Sequence, residues 1–223
     1  NLGGFYLQEE LADEDGNPDT SEGVFVLSDE AVELGQVVRV TGTVSEFFGT
    51  TQINAVSQVT IVNADDNLQS VKPAYIDLAS NTQVLVIDQD NLRFQPDLEA
   101  YENMLVNFVD ELSIIEQFNL GRFNEIRLVA GERPFQFTQK NTPNVAMYQS
   151  SLRQLAARSI VYDDGLGNQN VDIDLLDGFA PYSESTAKRM GDKVANLSGV
   201  LSFAFNKMFS CVNSFTLLAI ILI

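Results

Sequence analysis

Hydrophobic and polar positions alternate most clearly in residues 37–53, which read VVRVTGTVSEFFGTTQI. Valines on both sides of Gly42 are separated by polar residues, and this period of two is typical of a half-buried β-strand. A glycine inside a strand marks a bulge or a bend, so Gly42 predicts a long strand that bends there. Residues 49–51 (GTT) are interpreted as a hairpin turn, after which the return strand begins.

Other apolar runs extend this β pattern along the chain. A continuous apolar run at residues 84–87 predicts a strand buried on both faces. Residues 112–129 repeat the order strand, aromatic residue, glycine turn and return strand, and residues 191–207 repeat part of it with Gly199 aligned on Gly42. The clearest helix is predicted at residues 145–157, after a Pro-Asn start signal.

Short strands with glycine corners and little helix predict a mainly β fold, built of tandem OB-fold-like small β-barrels with one short helix. We divide the chain accordingly into four parts. They are a first barrel at residues 1–78, a second at 79–142, a helix and linker at 143–158, and a partial third unit at 159–223 that ends in an atypical apolar tail.

Charge and residue types restrict the function. Lys and Arg number 13 and Asp and Glu 31 among the 223 residues, which gives a formal charge of −18. A field of this sign opposes unaided binding to a phosphate backbone. The chain has no histidine, so the usual general base and the Ser-His and Cys-His nucleophile pairs are absent. These features argue against catalysis by this chain.

The two ends of the sequence carry further expectations. It begins at Asn1 without methionine, which is typical of a processed product or a fragment. The apolar residues 216–223 (TLLAIILI) are too few to span a membrane, which needs roughly 20 apolar residues. We interpret them as a terminal strand that could add to the sheet edge of a neighbouring molecule, so self-association is expected as one possibility.

An acidic loop at residues 11–23 is a candidate metal site. Its oxygen-bearing residues alternate around Gly16, as in the first half of an EF-hand loop, although the glutamate expected at the twelfth position is missing. A Ca²⁺ site and a solvated hairpin loop are both open interpretations. The candidate ligands are Asp13, Asp15, Asn17 and Asp19.

Two groups of residues are candidates for nucleic-acid binding. Phe47 and Phe48 would stack on bases if they are exposed, and would fill the barrel interior if they are not. A local cluster of positive charge is formed by Arg122, Arg127 and Arg133, which would otherwise form surface ion pairs with neighbouring glutamates.

Several blocks of the chain, in order, resemble the OB-fold-like, non-catalytic region of bacterial secreted endonucleases of the ExeM/NucH type. The blocks are residues 5–8 (FYLQ), 23–26 (GVFV), 37–53, 101–106 (YENMLV), 118–126 (FNLGRFNEI) and 158–165 (RSIVYDDG). The resemblance covers residues 4–207, after which the apolar tail departs from the family pattern. It implies a secreted protein whose nuclease domain would lie beyond this chain.

From this resemblance we expect a non-catalytic accessory module that positions or presents DNA, with cations assisting, or that spaces the nuclease domain. The alternative expectation is a structural secreted β-protein that assembles through its apolar C-terminal strand. Ca²⁺ is the candidate cofactor for DNA binding, if the acidic loop is a metal site.

Overall fold

The computed structural model describes residues 3–173, 182–204, 207–211 and 218–221. The strands are β1 Gly4–Glu9, β2 Gly23–Leu27, β3 Val37–Phe47, β4 Thr50–Asn63, β5 Ala74–Ile76, β6 Val84–Asp88, β7 Arg93–Pro96, β8 Leu105–Phe108, β9 Leu112–Glu116, β10 Ile126–Ala130, β11 Ser159–Asp163, β12 Lys193–Val194, β13 Ser198–Ala204, β14 Lys207–Cys211 and β15 Leu218–Ile221. The helices are α1 Leu120–Phe123, α2 Phe137–Lys140 and α3 Val145–Ala157, with 3-10 turns at Leu68–Ser70 and Glu99–Tyr101. The fold is therefore mainly β, as predicted.

Five strands form the first sheet. Their hydrogen-bonded neighbours follow the order β1-β15-β3-β4-β2, and β2 pairs with β1 in turn, so the pairings close a five-stranded ring. The apolar strand β15 lies between β1 and β3 and is parallel to both. Side chains inside this ring are apolar and buried, because alternate positions of each strand face inwards. They include Phe5, Leu7, Val26 and Val38, and Val32 from the β2–β3 connection packs against them.

The remaining strands form an open sheet of eight strands, in the order β12-β9-β10-β11-β14-β13-β8-β5, and a separate ribbon of β6 and β7. A tandem series of barrels is therefore not confirmed. The predicted division of the chain into units stays a prediction, and strand pairs cross its boundaries, since β5 pairs with β8 and β12 pairs with β9.

The largest core covers one face of the eight-stranded sheet. Alternate residues of its central strands point into this core, and burying each such side chain stabilises the fold by about 1.5–3 kcal/mol. Because of the same alternation, the residues between them, including Arg127, lie on the opposite face. The buried positions of β9, β10 and β11 are Leu112, Ile114, Ile126, Leu128, Ile160 and Tyr162.

The hairpin of β3 and β4 has the predicted bulge at Gly42, where the strand register shifts between Thr41 and Thr43. Its turn differs from the prediction. Phe47 pairs with Thr50, so the two turn residues are Phe48 and Gly49 and the return strand already begins at Thr50. The return strand, β4, continues without a break to Asn63.

Helix α3 has the predicted bounds. The Asn144 side chain accepts a hydrogen bond from the backbone N–H of Met147 over 2.9 Å and so caps the first turn. The helix packs against β7, where the Arg153 guanidinium lies 4.2 Å from the centre of the Phe94 ring. It thereby fixes the β6–β7 ribbon over the outer face of the large sheet.

Two other sequence interpretations need correction. Strand β6 is not buried on both faces, since it lies in a two-stranded ribbon and Val86 is half exposed. The second hairpin, β9 with β10, is antiparallel as expected, but its connection contains the one-turn helix α1 instead of a tight turn. Residues 205–206 of the predicted partial repeat lie outside the described residues.

Candidate functional site

The tip of the β3–β4 hairpin carries two exposed aromatic side chains. Phe47 is 57% and Phe48 77% exposed, and their ring centroids lie 4.7 Å apart in an edge-to-face arrangement. The alternative interpretation, that these residues fill a core, is therefore wrong. Two exposed rings on adjacent residues provide faces on which a planar ligand can stack.

Phe48 has a backbone conformation that is unfavourable for a bulky aromatic residue. Phe48 has φ 51° and Gly49 φ 87°, so both turn residues are in the left-handed region that a type I′ turn requires. Glycine adopts this conformation at no steric cost, and asparagine adopts it readily, but a bulky aromatic residue there is an outlier. Such strain costs on the order of 1–3 kcal/mol and occurs preferentially at functional sites.

Contacts with the large sheet hold the tip in place. The Thr50 hydroxyl donates a hydrogen bond to the carbonyl oxygen of Phe203 on β13. Gly49 lies against the ring of the same phenylalanine, because a Cβ at Gly49 would stand only 2.7 Å from the Phe203 Cε1 atom. The aromatic pair is thus presented from a fixed position.

Carboxyl groups lie beside the tip. Glu102 is buried, and its Oε2 accepts a hydrogen bond from the backbone N–H of Thr51 over 3.3 Å. Burial above all, together with the charges of Glu99 and Glu46, raises the pKa of Glu102 to about 7, although the hydrogen bond from Thr51 acts in the opposite direction. The Thr51 hydroxyl also donates to Glu46. An anionic ligand at the tip therefore meets negative charge that a cation or a proton must offset.

Two buried oxygens next to the tip have no hydrogen-bond partner within the described residues. They are Oε1 of Glu102 and Oδ1 of Asn103. The raised pKa favours the protonated form of Glu102, whose carboxyl group carries an O–H donor. Nothing in the sequence pattern indicates this buried pair, because its burial depends on the packing of the two sheets against each other.

The acidic loop contains two successive turns in which side chains cap the backbone. Asp15 Oδ1 accepts a hydrogen bond from the N–H of Asn17 over 2.7 Å, and Asn17 Oδ1 accepts one from the N–H of Asp19 over 3.2 Å. Asp13, at the start of the loop, is exposed. In the described part of the chain, no group of three or more acidic or cysteine side chains has an arrangement that could hold a metal ion. The Ca²⁺ site stays a prediction.

Carboxyl groups nevertheless approach one another at this loop. Burial, a side-chain hydrogen bond with Glu9 and the charge of Asp15 together raise the pKa of Glu22 to about 7. Glu22 lies just before β2, and its backbone carbonyl accepts from the N–H of Glu9 over 3.0 Å. A proton or a cation at this place would relieve the repulsion between the carboxylates.

The three candidate arginines have different surroundings. Arg122, at the end of α1, donates from Nε to Gln169 over 3.0 Å and lies over the Phe123 ring. Arg133 is exposed after β10, whereas Arg127 is half buried. The ion pairs among the described residues are those of Lys193, so the surface ion pairs expected for these arginines are not found there.

Arg127 lines a cleft of about 260 Å³ on the outer face of the large sheet. One wall is the β6–β7 ribbon, another is α3, and the floor is formed by β10 and β11. Burial lowers the pKa of the Arg127 guanidinium, and the charge of Glu116, its partner across the β9–β10 pair, offsets part of that effect. The sequence indicated Arg127 as a charged residue but not this cleft, which four distant segments assemble.

Gln95 on β7 also lines this cleft. Its side chain is 6% exposed, and neither Nε2 nor Oε1 has a hydrogen-bond partner among the described residues. Polar groups in protein interiors are rarely left in this state. The cleft therefore combines apolar walls with a guanidinium and an amide that have no ion-pair or hydrogen-bond partner within the described part of the chain.

Comparison of the chain with protein-family models, with curated proteins and with solved structures finds no match. No helix within the described residues has both the length and the apolar character needed to cross a membrane. Arguments about function consequently depend on the geometry of the hairpin tip, the acidic loop and the cleft.

Proposed function

We propose that this chain is a non-catalytic accessory module of an extracellular, endonuclease-like protein, and that the tip of the β3–β4 hairpin holds single-stranded DNA by base stacking. The observation that carries the proposal is Phe48, an exposed aromatic residue kept in a strained left-handed conformation. Stability alone would favour asparagine or glycine at this turn position, so the ring is best explained by a ligand.

Base stacking fits the chemistry of the tip. Stacking of a base on an aromatic side chain is worth about 1–3 kcal/mol and tolerates any sequence, because every base has a π face. Phe47 and Phe48 lie edge to face, so at least one ring face stays open to solvent. Duplex DNA would not offer unstacked bases, and the proposal is therefore specific for single strands.

Electrostatics set the conditions under which this binding occurs. The formal charge is −18, and the carboxyl groups of Glu46, Glu99 and Glu102 influence one another beside the tip. Phosphates would approach these groups only with divalent cations in place. Ca²⁺ held by the acidic loop with Asp13, Asp15, Asn17 and Asp19 is the cation that we propose.

Catalysis is assigned to another part of the parent protein. The absence of histidine removes the general base on which metal-dependent phosphodiesterases of the resembled type rely. We place the nuclease domain, and with it the substrate cleavage, beyond this chain. The module would then hold or space the DNA strand for that domain.

The test is a titration of a labelled short oligothymidine with the purified chain in Ca²⁺ buffer, followed by fluorescence anisotropy. Saturable binding that is lost in EDTA and is much weaker with a duplex of equal length is the expected result. Equal binding of the duplex, or binding unchanged by EDTA, would contradict the proposal. Cleavage of plasmid DNA by the chain alone would contradict its non-catalytic role.

Self-association through the C-terminal strand is the second candidate. One observation favours it: β15 enters the five-stranded ring between β1 and β3, and among the described residues it shares two residue pairs with β3. A strand held in this way can be exchanged between two copies of the chain, which would give a dimer. Sedimentation over a range of concentrations should then show a dimer, and a single monomeric species at all concentrations would rule it out.

A further inference from the structure

We propose that the cleft between α3, the β6–β7 ribbon and the outer face of the large sheet binds a free apolar amino acid, with its carboxylate on Arg127 and its ammonium group at Glu116. This function is independent of DNA binding at the hairpin tip. The two sites share no residue.

Arg127 requires an anionic partner. Within the described residues no carboxylate lies close enough to its guanidinium to form an ion pair, although burial already disfavours its charge. Partly buried charges are normally paired, because removal from water is costly without compensation. A carboxylate suits the site, since the planar guanidinium can donate two parallel hydrogen bonds to it.

An acidic side chain lies at the same wall. Glu116 is the cross-strand partner of Arg127 on β9, and both residues line the cleft. Glu125 also lines it and already accepts a hydrogen bond from Asn119 Nδ2 over 2.7 Å, so we assign the ammonium group to Glu116. Opposite charges on neighbouring strands complement a zwitterion better than a simple anion.

Gln95 supplies a polar group that is unused without a ligand. An amide can donate and accept, and leaving a buried donor or acceptor unpaired costs about 1–3 kcal/mol. Because Gln95 lines the same cleft as Arg127 and Glu116, we assign its amide to the carboxylate or the ammonium group of the bound molecule. Ligand binding would then offset the free-energy cost of the unpaired Gln95 amide in the free chain.

The walls and volume select the size and character of the ligand. Phe94 on β7 and Leu152 and Leu155 on α3 form apolar walls for an aliphatic or aromatic side chain. A volume of about 260 Å³ corresponds to roughly nine water molecules of about 30 Å³ each, and thus to a ligand on the order of ten heavy atoms. A single apolar amino acid fits this limit, whereas a nucleotide exceeds it.

The experiment measures binding of L-leucine, L-leucinamide and N-acetyl-L-leucine by isothermal titration calorimetry. The amide lacks the carboxylate and the acetylated form lacks the ammonium group. L-leucine should bind at least tenfold more tightly than either. Equal binding of leucinamide, or no heat with any of the three ligands at millimolar concentration, would overturn the proposal.

Variants test the assigned residues. Arg127→Met keeps the apolar stem without the charge and should weaken leucine binding at least tenfold, while the matched change Arg122→Met at an exposed position should leave it unchanged. Gln95→Leu removes the unpaired amide, so it should weaken leucine binding several-fold and raise the melting temperature. If Arg127→Met fails to fold, Gln95→Leu still decides the outcome, because unchanged affinity in that variant contradicts the site. Phe48→Asn should bind leucine normally, which separates this proposal from DNA binding.

Discussion

The side-chain amide of Asn103 donates a hydrogen bond to the backbone carbonyl oxygen of Thr51 over 3.2 Å. Glu102, the preceding residue, accepts from the N–H of Thr51 over 3.3 Å. Two buried residues before β8 thus hold both backbone groups of one residue on β4, directly behind the aromatic turn. This contact joins the five-stranded ring to the large sheet and makes the hairpin tip sensitive to the protonation of Glu102.

Stability should depend on pH through Glu102. Because its pKa is raised from 4.5 to about 7, the folded chain binds its proton more tightly than the unfolded chain between these values. This contribution to the free energy of unfolding is greatest below pH 4.5 and is lost as the pH rises towards 7. The melting temperature of Glu102→Gln should therefore exceed that of the wild type by a margin that grows between pH 4.5 and 8.

The matched control for this experiment is Asp77→Asn. Hydrogen bonds from Ser80 lower the pKa of the exposed Asp77 carboxyl. Its contribution to stability is therefore present above pH 3.8 and is lost as the pH falls below that value, which is the opposite of the pH dependence expected for Glu102. A constant difference in melting temperature between Glu102→Gln and the wild type from pH 4.5 to 8 would show that Glu102 does not titrate as described.

Replacing Phe48 by asparagine should stabilise the fold. Asparagine adopts the left-handed conformation at this turn position with less strain, and the expected gain in the free energy of unfolding is about 0.5–1 kcal/mol. Urea denaturation measures it. Phe47→Thr removes the neighbouring ring without relieving turn strain, so it serves as the control and should give no gain. A destabilised Phe48→Asn variant would mean that the ring contributes packing that outweighs its backbone strain.

Removing the cap of α3 should weaken the wall of the cleft. Asn144→Ala deletes the acceptor for the Met147 N–H and should lower the free energy of unfolding by about 1 kcal/mol. Ser150→Ala, at an exposed position inside the same helix, is the control and should be neutral or slightly stabilising. Equal urea midpoints for the two variants would contradict the role of Asn144.

Part of this architecture is predictable from local pattern alone. Gly42 marks the bulge of β3 because a bend needs a residue without a Cβ, and Asn144 marks the first residue before α3 because its side chain satisfies a free N–H. The exposed turn at Phe48 is not predictable in this way. A type I′ turn is recognised in a sequence by asparagine or glycine at its central positions. Because phenylalanine occupies the first of them here, the sequence does not indicate the turn.

Contacts between distant parts of the chain could not be predicted from the sequence pattern for a different reason. The apolar run at residues 216–223 indicates a strand, but periodicity does not show that residues 218–221 pair in parallel with β1 near the other end of the chain. The cleft around Arg127 likewise combines β7, β10, β11 and α3, whose mutual positions depend on tertiary packing. Local patterns identify single helices and strands, whereas a site built from several of them depends on the tertiary structure.

Salt dependence should distinguish this binding mode from ordinary phosphate recognition. A protein that neutralises phosphates with Lys and Arg loses affinity steeply between about 50 and 200 mM salt. Stacking on an acidic module should instead show constant or increasing affinity over that range in the presence of Ca²⁺. Glu46→Gln should tighten binding several-fold, since it removes a negative charge beside the tip. A steep fall of affinity with salt would point to a basic surface instead.

The most direct test of the proposed function compares the wild type with Phe48→Asn in the anisotropy titration of single-stranded oligothymidine with Ca²⁺. The variant keeps the turn and loses one stacking surface, so its affinity should fall about 5- to 150-fold, which corresponds to about 1–3 kcal/mol for one stacked base. Equal affinity of the two proteins, or no saturable binding by the wild type, would contradict the account.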